Sequence, residues 1–129
     1  MTKKRTILLV DDDIDYLFQQ KTALEQAGFQ VKTAEGRHEA RELLSETVPD
    51  CAILDLMMEE KDSGFMLAYD IKKMMPEVPV IIMTAVTNDA GFKFDRNSSG
   101  EKEWIKADTI ISKPVRPEQL IKEINRLIK

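Results

Sequence analysis

The stretch Thr6-Ile7-Leu8-Leu9-Val10-Asp11-Asp12-Asp13 decides the reading of this chain. From Ile7 to Val10 it is apolar without alternation, which fits a strand covered on both faces, as in a parallel sheet. Three aspartates then end the run at once. The basic residues before it, Lys3, Lys4 and Arg5, lead into too short an apolar segment for a signal peptide or a membrane span.

Outward from this strand the chain alternates short β-rich runs with helical patterns. A helix is expected from about Ile14 to Ala27, with Ile14, Leu17, Phe18 and Leu24 on one side and Gly28 as its stop. Phe29 to Ala34 reads as a second strand. Ala40, Leu43 and Leu44 stripe a short helix that ends before Pro49. Cys51 to Leu54 is a third strand, and Leu67, Ala68, Ile71 and Met75 mark a helix closed by Pro76. Val80 to Met83 and Thr109 to Ile111 read as strands four and five. Pro117 suits a first helical turn, and Leu120, Ile121, Ile124, Leu127 and Ile128 form one continuous stripe after it. Strands separated by helices of this length imply an α/β fold, with a parallel sheet covered on both faces. Between Ala85 and Asp108 the rhythm fails. No long amphipathic helix appears there, and Asn97-Ser98-Ser99-Gly100 is a turn cluster.

The 129 residues suit one domain over residues 1–129. Nineteen basic against 23 acidic residues give a net charge of −4, so direct binding of nucleic acid is not expected. A single cysteine, Cys51, fits a reducing cytoplasm, and its apolar strand suggests a buried filler.

Chemistry-bearing residues fall at the strand ends. Asp11 and Asp12 follow strand one, Asp55 ends strand three, Thr84 ends strand four and Lys113 follows strand five. In a parallel sheet these are the carboxyl ends, where functional groups gather. Three carboxylates brought together repel one another unless a cation joins them. Oxygen ligands without His or Cys point to a hard ion, Mg²⁺, which suits phosphoryl chemistry. Thr84 and Lys113 offer a hydroxyl and an ammonium for phosphoryl oxygens, and Asp55 a carboxylate nucleophile. Taken alone, Asp11-Asp12-Asp13 would equally suit a helix N-cap. His38, the only histidine, reads as a solvated helix position and a poor phosphodonor.

Ile7-Leu8-Leu9-Val10-Asp11-Asp12-Asp13, Ile53-Leu54-Asp55-Leu56-Met57-Met58, Ile81-Ile82-Met83-Thr84-Ala85 and Ser112-Lys113-Pro114 together resemble the receiver domain of two-component response regulators, of the CheY-like type. The resemblance spans nearly the whole chain. It implies a flavodoxin-like, doubly wound five-stranded parallel sheet of order 2-1-3-4-5. It implies that Asp55 accepts a phosphoryl group from the phosphohistidine of a sensor histidine kinase or a histidine phosphotransfer protein. It further implies that Asp12, Asp55 and the Met57 carbonyl ligate Mg²⁺, that Asp11 acts through water, and that Thr84 and Lys113 bind the phosphoryl oxygens. The Lys113–Pro114 bond is expected to be cis. Such a domain catalyses its own phosphorylation without being a turnover enzyme. It works in the cytoplasm, without inserting into a membrane, and switches a downstream effector protein or domain.

The sequence departs from the family pattern at three places. Glu59 stands where Pro is usual, and Gly64 comes one residue late, so the loop after Asp55 is longer and more acidic. The segment from Thr84 to Lys113 is longer than usual and lacks the pattern of the family's fourth helix. Ile110 replaces the Tyr or Phe whose ring turns on activation. The resemblance implies that Met57 and Val86 flank the path of an in-line water; neither side chain orients one, so slow self-dephosphorylation is expected. Two other classes share some of these residues. A haloacid-dehalogenase-like phosphatase also uses Asp, Mg²⁺, Thr and Lys, but expects an acidic residue where Met57 stands. A phosphorylation-independent interaction domain would not need the complete set of acidic, Thr and Lys positions.

Overall fold

The structure, a computed structural model, describes residues 4–55, 63–84, 107–113 and 115–128. Its elements run β1 (Thr6–Val10), α1 (Ile14–Gln26), β2 (Gln30–Ala34), α2 (Arg37–Glu46), β3 (Cys51–Asp55), α3 (Ser63–Met74), β4 (Val80–Thr84), β5 (Thr109–Ser112) and α4 (Pro117–Ile128). The strands form one parallel sheet in the order β2-β1-β3-β4-β5. This is the sheet the sequence leads one to expect. Met57, Glu59, Val86, Pro114 and the irregular stretch up to Lys106 lie outside the described residues, and so do the expectations that fall on them.

The period of two along each strand divides the apolar residues between two cores. Leu8, Val10, Ala52, Leu54, Val80 and Ile82 face α2 and α3, where Ala40, Leu44, Leu67, Ala68 and Ile71 meet them. Ile7, Leu9, Cys51, Ile53, Ile81, Met83 and Ile111 face α1 and α4, against Leu17, Leu24, Leu120 and Ile124. Both faces of the central strands are thus dry, which is why those strands read as unbroken apolar runs. Cys51 is buried, and burial pushes its thiol up to about 12, in keeping with a packing role.

The boundaries of α1 follow from its ends. Asp13 caps it, its carboxylate accepting the Tyr16 backbone N–H at 3.2 Å. At the other end Gly28 takes φ 101°, where a Cβ is disfavoured. Its N–H donates to the Glu25 carbonyl and that of Phe29 to the Leu24 carbonyl, closing the helix with a Schellman turn. One expectation about α1 needs correction. Ile14 and Phe18 do not share the buried side with Leu17 and Leu24; they are 62% and 70% exposed. The buried stripe is Leu17, Gln20 and Leu24, at i, i+3 and i+7, and Ile14 and Phe18 lie on its flank. Among the described residues no helix is long and apolar enough to cross a membrane.

Strand register sets the sheet's carboxyl edge. Val10 pairs with Leu54, so Asp11 comes level with Asp55. Asp55 pairs with Met83 and Thr84 with Ser112, so Thr84 and Lys113 each stand at the next step along the edge. The Lys113 N–H donates to the Thr84 carbonyl at 2.8 Å and carries the ladder one residue beyond β5.

Candidate functional site

In this sheet order the chain reverses direction of winding between β1 and β3, and the crevice at such a switch point is the natural ligand site. Asp11 and Asp55 meet there. Both are buried, whereas Asp12 is exposed. One carboxylate oxygen from each of Asp11, Asp12 and Asp55 lies within 4.8 Å of the others. Lys113 reaches across from β5, its Nζ 3.2 Å from Asp11 Oδ2 and 3.1 Å from Asp55 Oδ1. Thr84, at the end of β4, is buried on the same edge.

The three consecutive aspartates divide their work. Asp13 is the helix cap, so the N-cap reading holds for that residue alone. Its own N–H donates to Asp11 Oδ1 at 2.9 Å, which fixes the Asp11 carboxylate over the edge. Asp12 lies between them with its side chain toward solvent.

Among the described residues the charge at the site is unbalanced: three carboxylates face one ammonium. Burial and the neighbouring Asp11 push the Asp55 carboxyl up to about 6, against the pull of Lys113. Burial also raises Asp11, opposed by the Asp13 N–H and by Lys113. Burial alone would lower Lys113, but Asp11 and Asp55 together hold it above its ordinary value. A hard divalent cation suits this donor set, because all its ligand atoms are oxygens and it supplies the missing positive charge.

Every site residue expected within the described part is therefore brought to one edge: Asp11, Asp12, Asp55, Thr84 and Lys113. Met57 lies outside it. His38 is exposed and 3.6 Å from Glu42 on α2, in keeping with a solvated position. Ile110 packs against the α2/α3 core. The sequence reading overlooked Tyr16, whose ring lies over Lys113 Nζ at 5.1 Å and whose hydroxyl donates to Met83 Sδ at 3.3 Å. Burial, with Asp11 and Asp55 nearby, pushes its phenol up to about 12. An aromatic three residues after the N-cap, in the turn that begins at the acidic site, was the available signal.

A parallel sheet of order 2-1-3-4-5 with acidic residues and a lysine at its switch point defines a CheY-like doubly wound domain. The sequence matches the response regulator receiver domain family over residues 7–125, and the chain belongs to that family. It is 35% identical over 127 residues to the transcriptional regulatory protein GltR of Pseudomonas aeruginosa, covering 97% of this chain and 49% of GltR. It is 34% identical over 122 residues to the response regulator SaeR of Staphylococcus epidermidis, covering 95% of this chain and 49% of SaeR. The solved structure of a CheY-like receiver domain protein from Methanospirillum hungatei superposes with a TM-score of 0.80. That match has 26% identity and covers 96% of this chain and 93% of that one. The chain spans about half the length of these curated relatives. It is a receiver domain of two-component signalling.

Proposed function

We propose that residues 1–129 act as one phosphoacceptor domain, with Asp55 taking a phosphoryl group from the phosphohistidine of a sensor kinase or a histidine phosphotransfer protein. The observation that carries this reading is Lys113 Nζ lying 3.1 Å from Asp55 Oδ1, beside a second buried carboxylate, on the switch-point edge. In the transfer, an Asp55 oxygen bonds to phosphorus as the phosphorus–nitrogen bond to imidazole breaks, and the imidazole leaves with that electron pair. With its carboxyl near 6, Asp55 is ionised at neutral pH yet more basic than a solvated carboxylate, which favours attack. Lys113 and the Thr84 hydroxyl would hold the phosphoryl oxygens. Asp11, Asp12 and Asp55, with the Met57 carbonyl, would hold Mg²⁺, which when bound neutralises charge on the transferring group.

The domain speeds its own phosphorylation and slow release, and turns over no other substrate. The relatives' names, a transcriptional regulator and a response regulator, support an effector protein or domain as the recipient of the switch. The net charge of −4 supports no direct contact between this domain and nucleic acid. The proposed compartment is the cytoplasm. Incubation with acetyl phosphate and Mg²⁺, read by intact mass, tests the reading. One persistent phosphoryl adduct on the parent and none on Asp55→Asn is expected. Steady phosphate release without an adduct would instead mark a phosphatase, and no reaction an interaction domain.

A further inference from the structure

Lys113 follows a short edge strand and carries a flexible four-carbon stem, so two carboxylates alone leave its ammonium free to move between them. Two residues of α1 constrain it from the other side. The Tyr16 ring lies over Nζ at 5.1 Å, within cation–π range, and its hydroxyl ties the ring to Met83 on β4. Gln20 is one turn further along the same face of α1. It is only 3% exposed, and its Nε2 donates to the Val115 carbonyl at 3.3 Å, two residues beyond Lys113. Its Oε1 has no hydrogen-bond partner among the described residues. An apolar side chain of similar size would avoid the cost of that buried acceptor but would leave the Val115 carbonyl without this donor. A buried amide that leaves one acceptor unpaired while it holds the backbone next to a site lysine fits a positioning role.

We infer that Tyr16 and Gln20 form a two-point clamp, one on the Lys113 ammonium and one on the Val115 backbone, that aims Lys113 at the phosphoryl group entering at Asp55. This rests on the phosphoacceptor reading. Both are positioning residues. The ring face attracts the cation without fixing one hydrogen-bond direction, so Nζ can leave the carboxylate oxygens for a phosphoryl oxygen while remaining under the ring. Because Tyr16 is half-buried, the ring also keeps water off that side of the ammonium.

The test compares the parent protein with Tyr16→Leu, Tyr16→Phe, Gln20→Leu and Asp55→Asn. Each is assayed for phosphorylation by acetyl phosphate at saturating Mg²⁺, for melting temperature, and for the NMR shift of the Lys113 ε-methylene. Tyr16→Leu should slow phosphorylation about tenfold and abolish the upfield ring-current shift. Tyr16→Phe should restore both, the rate to within about threefold of the parent. Gln20→Leu removes the unpartnered Oε1 but also strips the Val115 carbonyl of its donor, so its melting temperature should change little; it should slow phosphorylation about threefold and shift the Lys113 ε-methylene signal, a pairing that a merely structural role would not give. Parent-like rates in Tyr16→Leu and Gln20→Leu, or rate losses that track melting temperature, would overturn the clamp. An unshifted Lys113 signal in the parent would do the same, whatever the phosphorylation result. An unmodified parent protein, or a modified Asp55→Asn, would overturn the acceptor reading instead.

Discussion

Two lysine–aspartate clips close opposite edges of the same sheet, and they are built differently. At the amino edge Lys72 meets Asp108 at 2.8 Å and also donates to the Val78 carbonyl at 2.8 Å. Asp108 accepts the Val80 N–H at 2.8 Å, so charge and hydrogen bonds are matched one to one. At the same edge Asp50 accepts the Thr6 N–H at 2.7 Å and pairs loosely with Arg5 at 3.8 Å. These are splints that join strand beginnings. At the carboxyl edge, among the described residues, Lys113 alone serves both Asp11 and Asp55, with Asp12 beside them. Here burial holds Asp55 well above the ordinary carboxylate range. Among the described residues this edge is short of positive charge, which a cation or a phosphoryl group with its counterion would supply.

The sharpest way to break this comparison is to truncate both lysines. Lys113→Ala should slow phosphorylation by acetyl phosphate on the order of 100-fold, because it removes a cation from the developing phosphoryl charge. Lys72→Ala should leave that rate within about twofold and lower stability by about 1–2 kcal/mol, since Asp108 and the Val78 carbonyl lose a donor. Equal rate losses in the two variants would mean that the edges do not differ in function.

The second test uses pH. The folded protein holds the Asp55 carboxyl up to about 6, and the unfolded chain titrates near about 4. Between those values the folded state binds more protons, so this group's contribution is fully present below about pH 4 and is lost as pH rises through about 6. Without Mg²⁺, the stability of Asp55→Asn relative to the parent should therefore rise between pH 4 and 6, by on the order of 3 kcal/mol. Asp11 is shifted the same way and stands close enough to couple with Asp55, so the difference reports the titration of the pair. Denaturant melts across the range would reveal a flat difference if Asp55 titrates normally.

Metal binding sharpens the comparison further. Mg²⁺ at roughly a hundred times its Kd should stabilise the parent by about 2.7 kcal/mol. Asp12→Ala should erase most of that gain, and Asp108→Asn should keep it. Equal stabilisation of Asp12→Ala and the parent, read by thermal melts, would place the ion elsewhere. The smallest expected effect is on Asp108→Asn without metal. It keeps an acceptor for the Val80 N–H but loses the charge facing Lys72, which should cost about 1 kcal/mol or less.

The strands were legible because their cores are dry on both sides, and the acidic and lysine positions because each follows directly on such a run. Two polar strand ends, Asp55 and Thr84, were legible as well, and only Ser112 at the end of β5 was not. Asp55, Thr84 and Ser112 are polar, yet each still pairs within the ladder, so β3, β4 and β5 extend one residue beyond their apolar runs. The face of α1 was only partly legible. Apolar identity alone could not tell that Phe18 lies outside and Gln20 inside, because the loop around Val115 decides which side is covered. Tyr16 was missed for a related reason: its partners, Met83 and Lys113, are distant in sequence and come to it only through the register of β4 and β5.

The central claim is that Asp55, and neither of its acidic neighbours, accepts the phosphoryl group. Borohydride reduction converts an aspartyl phosphate to homoserine, which marks the acceptor permanently. After treatment with acetyl phosphate and Mg²⁺ followed by reduction, peptide mapping should find homoserine at position 55 and at no other aspartate. Homoserine at position 11 or 12, or at position 55 in equal amount when the donor is omitted, would contradict it.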